Sequence, residues 1–347
     1  MKILEINTER SWRGGERQTL FNIRGLKACG SEVELLCRKD FPLSQKAKQE
    51  NIRTHEIKGA NDAITFLMAH GSKYDILHAQ TAKAQFYAVI TKPFHRRPVI
   101  YSRRVDFVQK GPLTKWKYLL TDKTIAISEA IKTILTSFGV RNVEVISDAA
   151  EPVSLNAARA KMIIAENGLL GKKLIGTTAA LVQHKDPLTM VRAIAELADK
   201  RKDFVFLHYG DGVLKEQVQN EINKLGIQEQ YSLMGFIDQV EDLFSLFEVF
   251  VMSSEEEGLG SSVLDAFLYK VPVASTDAGG LKEVVQHHGL ICKVKDHVML
   301  ADNIDTLMND EKLKETLTEK AHSYVLREHS IEKIAKEYQA LFLRLRK

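Results

Sequence analysis

Short apolar runs alternate with amphipathic stretches from the start of the chain. The first run, KILEIN, leads into a loop with two glycines, and a stretch with Leu20, Ile23 and Leu26 at helical spacing follows. That stretch ends at Gly30, since glycine readily adopts the positive φ with which many helices end. The run VELLC comes next. A strand, a loop, a helix and a second strand in this order predict a parallel βαβ unit.

The same alternation predicts two parallel sheets, one in each half of the chain. The further strands predicted in the first half are DILHA, PVIYS, KTIAIS and VEVIS, and those in the second half are KLIGTTA, FVFLHYG, YSLMGF, VFVMSS, PVAST and GLICKV. Between the two sets lies the helical stretch AARAKMIIAENGLL, which marks a boundary. We therefore predict two doubly wound, Rossmann-like α/β domains, residues 1–155 and residues 156–329.

Only helical patterns follow the last predicted strand. The final segment, residues 330–347, repeats apolar residues at alternating steps of three and four, namely Ile331, Ile334, Tyr338, Leu341 and Leu345. Such a stripe occupies one face of a helix, and that face is expected to pack against the protein.

Composition and cysteine usage narrow the class of protein. The chain has 347 residues, 44% hydrophobic and 27% charged, which is typical of a globular protein with two domains. No apolar run reaches the about eighteen residues of a membrane span, and MKILEINTER carries charges before any signal-peptide core, so we expect a cytoplasmic protein. Cys29, Cys37 and Cys292 lack the spacing of a disulfide framework or a zinc site, and no paired-carboxylate metal motif is present. We expect neither a metal nor a cofactor.

Positive charge is concentrated in one segment, although the net charge is only +4. Residues 83–117 contain nine Lys or Arg residues and a single acid, Asp106. The segment ends in a stretch that mixes Trp116 and Leu119 with lysines, and this pattern suits either a helix on an anionic membrane or an ordinary half-buried helix. Nothing in it is typical of a nucleic-acid platform, so no nucleic-acid partner is predicted.

Three glycine-bearing loops follow predicted strands, at 13–15, 257–262 and 277–280. Ligands of parallel sheets bind beyond the carboxyl ends of the strands, although tight turns require glycine for folding alone. Glu257 follows two further glutamates, and Asp265 lies about two helical turns later. Two carboxylates suit a polyhydroxyl ligand because each accepts hydrogen bonds from neighbouring hydroxyls, while solvated surface acids are the alternative.

The stretch SSEEEGLGSSVLDAFLYKVPVASTDAGGLKEVV resembles the donor-binding signature of the retaining family-four glycosyltransferases. This resemblance implies the GT-B arrangement, in which two Rossmann-like domains face each other across a cleft and the last helix crosses back to the first domain. It also implies that Glu257 contacts the transferred sugar and that Asp265, in place of the family's Glu, contacts the ribose. The positions that it places near the donor diphosphate are Gly258, Leu259, Gly260, Ser261, Gly279 and Gly280.

Further segments extend the resemblance over most of the chain. Lys185 matches a family lysine that neutralises donor phosphates, whereas Ala180 stands where the family has an arginine. Gly210, Gly235 and Phe236 match donor-side positions of the family, and the backbone at Gly235 and Phe236 is expected to lie along the nucleotide base. The alternative is that these are turns required for packing.

In the first domain, SWRGGERQ resembles the family's Gly-Gly-x-Glu loop near phosphates and acceptor. The resemblance assigns Gly14 and Gly15 to that loop, with Trp12 and Arg13 as acceptor-side neighbours. His78 also matches an acceptor-side position, although a hydrogen-bonded core histidine is the alternative.

Arginines stand where many members of the family have a catalytic-site histidine. Arg103 or Arg104 is expected to bind a phosphate or an acceptor anion, and an ion pair with Asp106 is the alternative. With Lys185 and the helix N-termini, an arginine would stabilise the leaving diphosphate without a metal.

The expected activity is retaining transfer of a hexosyl or related group from a nucleotide-sugar, which is a co-substrate, to a glycan or lipid-linked acceptor. Envelope polysaccharide or lipopolysaccharide synthesis is the expected setting, with peripheral attachment to the inner face of the membrane. A non-catalytic sugar-nucleotide binding protein with a degenerate site is the alternative. A dinucleotide-dependent oxidoreductase is disfavoured, because the first loop lacks Gly-x-Gly-x-x-Gly.

Overall fold

The computed structural model of the protein describes residues 1–107, 110–237 and 240–346. The chain forms two compact units, which we call unit 1 (Met1–Ala149 with Glu328–Lys347) and unit 2 (Ala150–Arg327). The boundaries expected from the sequence, after residues 155 and 329, lie a few residues from these divisions.

Unit 1 is built on a parallel sheet. Its strands are β1 (Lys2–Asn7), β2 (Glu32–Arg38), β3 (Thr54–Ile57), β4 (Ile76–Ala79), β5 (Val99–Arg103), β6 (Lys123–Ala126) and β7 (Val143–Val145). The helices between them are α1 (Gly14–Ala28), α2 (Pro42–Gln49), α3 (Ala60–His70), α4 (Ala82–Ile90), α5 (Lys92–His95), α6 (Pro112–Leu120) and α7 (Glu129–Ser137), with a 3-10 turn at Gly71–Lys73. Among the described residues the strand order is β3-β2-β1-β4-β5-β6-β7, as expected of a doubly wound sheet.

Unit 2 repeats this architecture. Its strands are β8 (Lys173–Thr178), β9 (Phe204–Tyr209), β10 (Tyr231–Gly235), β11 (Phe247–Met252), β12 (Val273–Thr276) and β13 (Leu290–Cys292). Its helices are α8 (Ala157–Glu166), α9 (Pro187–Lys200), α10 (Lys215–Leu225), α11 (Glu241–Phe244), α12 (Ser261–Leu268), α13 (Gly280–Val285), α14 (His297–Asn309) and α15 (Glu311–Glu328), with a 3-10 turn at Gln183–Lys185. The order of the described strands is β10-β9-β8-β11-β12-β13, and all of their pairings are parallel.

The central strands are buried along most of their length because helices cover both faces of each sheet. In unit 1 the core includes Ile3, Ile76 and Ile100, and in unit 2 it includes Phe206 and Val249. The twelve strands predicted from the sequence are therefore confirmed, as is the doubly wound α/β class. The strand β3 is missing from the prediction.

The last helix, α16 (Ile331–Leu345), belongs to unit 1. It begins at Ser330, whose side chain accepts a hydrogen bond from the Lys333 amide. Ile334 and Tyr338 are buried, so the apolar stripe read from the sequence packs on unit 1. The contact with α1 is close at Gly25, where an added Cβ would lie 2.6 Å from the Cβ of Ala335.

Candidate active site

Lys185 and Glu257 come together at the carboxyl end of the unit 2 sheet. Lys185 ends the 3-10 turn after β8, and Glu257 lies in the loop after β11. Their side chains form an ion pair between Nζ and Oε2, and 19% and 14% of the two side chains remain exposed. The Oγ atom of Ser254 lies 3.5 Å from the same carboxylate oxygen. The structure thus joins the two residues assigned to the sugar and the phosphates, and a ligand in solvent can reach both.

Backbone hydrogen bonds hold the two loops in this arrangement. The His184 carbonyl accepts from the amides of Glu255 and Glu256, at 2.9 and 3.2 Å. The Ser253 hydroxyl donates to the Asp186 carbonyl at 2.9 Å. The ion pair therefore stands on loops that are connected independently of it, which pre-organises both charged groups.

The glycines of this edge permit close backbone contact. The Gly280 amide donates to the Glu257 carbonyl at 2.8 Å, and an added Cβ at Gly280 would lie only 2.2 Å from the Gly258 carbonyl oxygen. Gly260 and Gly279 have φ values of +96° and +43° and precede α12 and α13. Folding alone therefore requires glycine at these positions, whether or not a phosphate binds there.

Helix α12 carries the remaining residues of the signature. Ser261 is its first residue and is partly exposed, whereas Leu259, just before it, is buried. Asp265 lies in the second turn and is 6% exposed. Only a small part of Asp265 is therefore accessible for the ribose contact that the resemblance implies.

His208 supports the loop that leads from β8 to Lys185. Its Nε2 lies 2.9 Å from the Ala179 carbonyl oxygen, which can only accept, so Nε2 carries the proton and Nδ1 accepts from the Tyr231 hydroxyl at 2.7 Å. Burial lowers the pKa of His208 to about 4, so the ring is neutral at pH 7. Sequence reasoning missed this residue, since its partners are distant in the chain.

The turns after β9 and β10 adjoin this loop. Gly210 has a φ of +152°, and an added Cβ there would lie 2.0 Å from the Ala179 carbonyl oxygen. Its amide donates to the Gly235 carbonyl at 2.9 Å, and Gly235 has a φ of +72°. Phe236 follows and is 71% exposed, so a flat apolar side chain lies at the edge assigned to the nucleotide.

In unit 1 the first glycine loop opens α1. Gly14 begins the helix, and Arg13 is its N-cap. The Arg13 amide donates to Oε2 of Glu16 at 2.9 Å, and burial raises the pKa of Glu16. An added Cβ at Gly15 would meet no atom within 4 Å. The backbone at Gly15 is therefore open to an approaching ligand.

Trp12 and its neighbours form the adjoining surface. The ammonium group of Lys46 lies 4.7 Å from the Trp12 ring centroid, within cation–π distance. Arg13 is exposed, and Trp12 is partly exposed. This loop therefore presents an aromatic side chain flanked by positive charge.

The two arginines after β5 have different environments. Arg103 is 1% exposed, and its Nη2 donates to the Phe107 carbonyl at 2.5 Å. Arg104 donates through Nε to Asp148 at 2.8 Å and through Nη1 to Gln80 at 2.5 Å. Its ion-pair partner is thus Asp148, and the alternative pairing of Arg104 with Asp106 is wrong. Of the two, Arg104 is the arginine that a ligand can reach.

His78 is fully buried, as expected of a hydrogen-bonded core histidine, the alternative to an acceptor-side position. Its Nδ1 lies 2.8 Å from a Glu5 carboxylate oxygen, and its Nε2 lies 2.8 Å from the Ser102 hydroxyl. Ser102 also lies 2.8 Å from the Tyr338 hydroxyl of α16. Both ring nitrogens therefore face protein groups.

The last residues of the basic segment 83–117 lie in helix α6. Residues 108 and 109 of this segment lie outside the described part of the chain. Tyr118 is buried, but Leu113, Trp116, Leu119 and Leu120 are exposed, with Leu119 at 78%. Lys115 is exposed beside them. No helix in the described residues has the length and apolar character needed to cross a membrane.

Two observations concern the chemistry available at these edges. Among residues 1–107, 110–237 and 240–346, no group of three or more His, Cys, Asp or Glu side chains is arranged to hold a metal ion. Positive groups are available at Lys185 in unit 2 and at Arg104 in unit 1. Both lie at the edge where parallel sheets bind ligands.

Comparison with known proteins defines the class. The structure superimposes on that of Anabaena Alr3699/HepE, solved in complex with UDP and glucose, with a TM-score of 0.85 at 19% identity, over 99% of this chain and 100% of that one. The fold is that of the GT-B glycosyltransferases. The profile described as Glycosyltransferase Family 4 matches residues 12–151, and the one described as Glycosyl transferases group 1 matches residues 160–324. The chain therefore belongs to the family-four glycosyltransferases.

Curated relatives are themselves glycosyltransferases. A 2-deoxystreptamine glucosyltransferase of Streptomyces kanamyceticus is 29% identical over 52% of this chain and 50% of its own length. A poly(ribitol-phosphate) alpha-N-acetylglucosaminyltransferase of Staphylococcus aureus is 25% identical over 82% of this chain and 56% of its own. The chain spans about half the length of these two relatives.

Proposed function

We propose that the protein transfers a hexosyl or related group from a nucleotide-sugar to a glycan or lipid-linked acceptor, with retention of anomeric configuration and without a metal. The observation that carries this proposal is the Lys185–Glu257 ion pair on two connected loops at the carboxyl edge of unit 2. A cation suited to phosphate lies there beside a carboxylate suited to sugar hydroxyls, which supports the proposal.

The donor side of the proposal rests on unit 2. Lys185 and the amides that begin α12 and α13 supply positive charge for a diphosphate. Phe236 offers an exposed ring at the same edge, next to the turns assigned to the nucleotide. The complex of Anabaena Alr3699/HepE with UDP and glucose supports a uridine nucleotide-sugar as the first donor to test.

The transfer itself needs no side-chain nucleophile. The bond between the anomeric carbon and the diphosphate oxygen breaks, and its electron pair leaves on the phosphate. The acceptor oxygen bonds to the anomeric carbon on the face that the phosphate leaves, and its proton passes to a phosphate oxygen. Lys185 stabilises the negative charge that develops on the diphosphate.

The acceptor side of the proposal concerns the cell envelope. The Staphylococcus aureus relative is named for poly(ribitol-phosphate), and another relative is named for lipopolysaccharide core biosynthesis. The exposed apolar and basic face of α6 suits attachment to an anionic membrane. We propose a cytoplasmic enzyme that works at the inner face of that membrane.

The test is a donor screen with a matched pair of variants. Calorimetric titration with UDP-, GDP-, ADP- and CMP-sugars, in EDTA and in Mg²⁺, should identify one donor that binds equally in both. With that donor and envelope glycan acceptors, Glu257→Gln should lower kcat/KM by roughly 10- to 100-fold, the value of a hydrogen bond to a charged group. Glu256→Gln removes the exposed neighbouring charge and should have little effect.

The outcomes separate the candidate functions. Transfer only in Mg²⁺ would contradict the metal-independent mechanism, and a product of inverted configuration would contradict retention. Tight donor binding without transfer to any acceptor would favour a non-catalytic sugar-nucleotide binding protein, in which Ala180 marks a degenerate site. Equal activity of Glu257→Gln and wild type would remove Glu257 from the site.

A further inference from the structure

Arg104 is held by two of its three guanidinium nitrogens. Nε donates to Oδ1 of Asp148 at 2.8 Å, and Nη1 donates to Oε1 of Gln80 at 2.5 Å. Nη2 donates to none of the described residues, and it is not among their enclosed polar atoms that lack a partner. With 11% of the side chain exposed, Nη2 is the guanidinium nitrogen left for a ligand.

The partner of Nη1 is itself fixed in orientation. Gln80 donates through Nε2 to Oε2 of Glu5 at 2.6 Å, and Glu5 is completely buried. If the Gln80 amide turned over, its NH₂ group would face the Arg104 guanidinium and its oxygen would face the Glu5 carboxylate. Both contacts would then be repulsive, so Glu5 forces the Gln80 oxygen toward Arg104.

Asp148, the partner of Nε, is also held in place. It is 5% exposed, and its backbone carbonyl accepts from Nδ1 of His329, at 3.0 Å. Asp148 follows β7, Gln80 follows β4, and Arg104 follows β5. The carboxyl ends of parallel strands lie at one edge of the sheet, so this cluster occupies the ligand-binding edge of unit 1.

We infer that Glu5, Gln80 and Asp148 are positioning residues that aim Nη2 of Arg104 at an anionic oxygen group of a substrate. The inference rests on the proposed function, in which the anion is either a phosphate of the donor or an acid group of the acceptor. Two of the three guanidinium nitrogens are fixed here and the third is presented, which lowers the entropic cost of binding an anion.

The experiment is a double-mutant cycle on the full chain, with binding as the measurement. UDP, GDP and ADP are titrated into the protein, and inorganic phosphate is then titrated into the protein saturated with the nucleotide that binds. The first titration tests the donor phosphate as the source of the anion, and the second tests the acceptor acid. The variants are Arg104→Gln, Gln80→Leu, both together, and the exchange Glu5→Gln with Gln80→Glu.

Arg104→Gln should lower the affinity measured in one of the two titrations by about tenfold or more, because it removes a charge-assisted hydrogen bond. Gln80→Leu should lower the affinity in the same titration. In the double variant it should cause no further loss beyond that of Arg104→Gln alone. A structural role would instead give additive losses. The exchange variant keeps both hydrogen bonds and the total charge, so it should restore affinity that Gln80→Leu loses. Thermal midpoints show which variants remain folded.

Three results would overturn the inference. One is unchanged affinity of Arg104→Gln in both titrations, and another is an additive effect of Gln80→Leu in the double variant. The third is failure of the exchange variant, in folded form, to bind better than Gln80→Leu. Wild-type protein that binds no nucleotide and no phosphate would contradict the proposed function itself, which keeps the two failures distinct.

Discussion

His208 is buried at the end of β9, between the Tyr231 hydroxyl and the Ala179 carbonyl. Its pKa is lowered from 6.5 to about 4, so the folded state keeps the ring neutral where the unfolded chain takes up a proton. The free energy of unfolding should therefore fall as the pH drops below about 6.5, by roughly 2 kcal/mol between pH 7 and pH 5. Urea unfolding of wild type at both pH values measures this loss.

The matched variant is His208→Gln, which has no group that titrates in this range. It should be less stable than wild type at pH 7 and should lose less stability between pH 7 and pH 5. An equal pH dependence of the two proteins would show that other groups cause the acid sensitivity.

At the residue scale, the sequence indicates which residues belong to the donor edge. It does not indicate which residues will be their ion-pair or hydrogen-bond partners. Lys185 and Glu257 stand in recognisable segments, but they are 72 positions apart and only the fold makes them an ion pair. Glu5 and His208 give a weaker signal, a polar residue inside an apolar strand. Such a residue must have a buried partner, yet the partner comes from another strand and has no sequence mark.

At the scale of elements, α1 and α16 approach each other closely at Gly25. An added Cβ would lie 2.6 Å from Ala335 Cβ and 2.8 Å from Ile331 Cγ2. Gly25→Ala should therefore lower the free energy of unfolding by about 1–3 kcal/mol through overpacking, even though alanine favours the helix. Chemical denaturation measures the change.

Gly15→Ala provides the control in the same helix. An alanine Cβ at Gly15 has no neighbour within 4 Å, so this variant should be as stable as wild type or slightly more stable. If Gly25→Ala were also neutral, the close packing of α16 on α1 would be contradicted.

The elements themselves were largely predictable, because strands buried on both faces are continuous apolar runs. The strand β3 was not predicted, since THEI is short and polar and only Ile57 is buried. It pairs through its backbone with β2, at the edge of the sheet. Pairing of this kind leaves no apolar pattern in the sequence, and for this reason an edge strand is easily missed.

At the scale of the whole molecule, the exposed face of α6 predicts binding to anionic membranes. Trp116 and Leu119 are exposed beside Lys115, and burial of each apolar side chain is worth roughly 1.5–3 kcal/mol. The variant with Trp116→Ser and Leu119→Ser should therefore bind phosphatidylglycerol vesicles more than tenfold more weakly than wild type. Sedimentation with vesicles of graded charge measures the affinity.

Val213→Ser is the control, because Val213 is highly exposed but lies in unit 2. It should bind vesicles as wild type does, and neither protein should bind neutral phosphatidylcholine strongly. Equal binding of wild type and the α6 variant would place the membrane contact elsewhere or exclude it.

The path of the chain has a consequence for its synthesis. Residues 150–327 form unit 2, while α16, which belongs to unit 1, is translated after them. The ribosome therefore synthesises all of unit 2 before α16 can cover the surface of α1 around Gly25. The sheet of unit 1 is translated before unit 2 but receives α16 after it, so the surface of α1 that α16 covers stays open throughout the synthesis of unit 2. Chaperones that shield nascent chains would act during that interval.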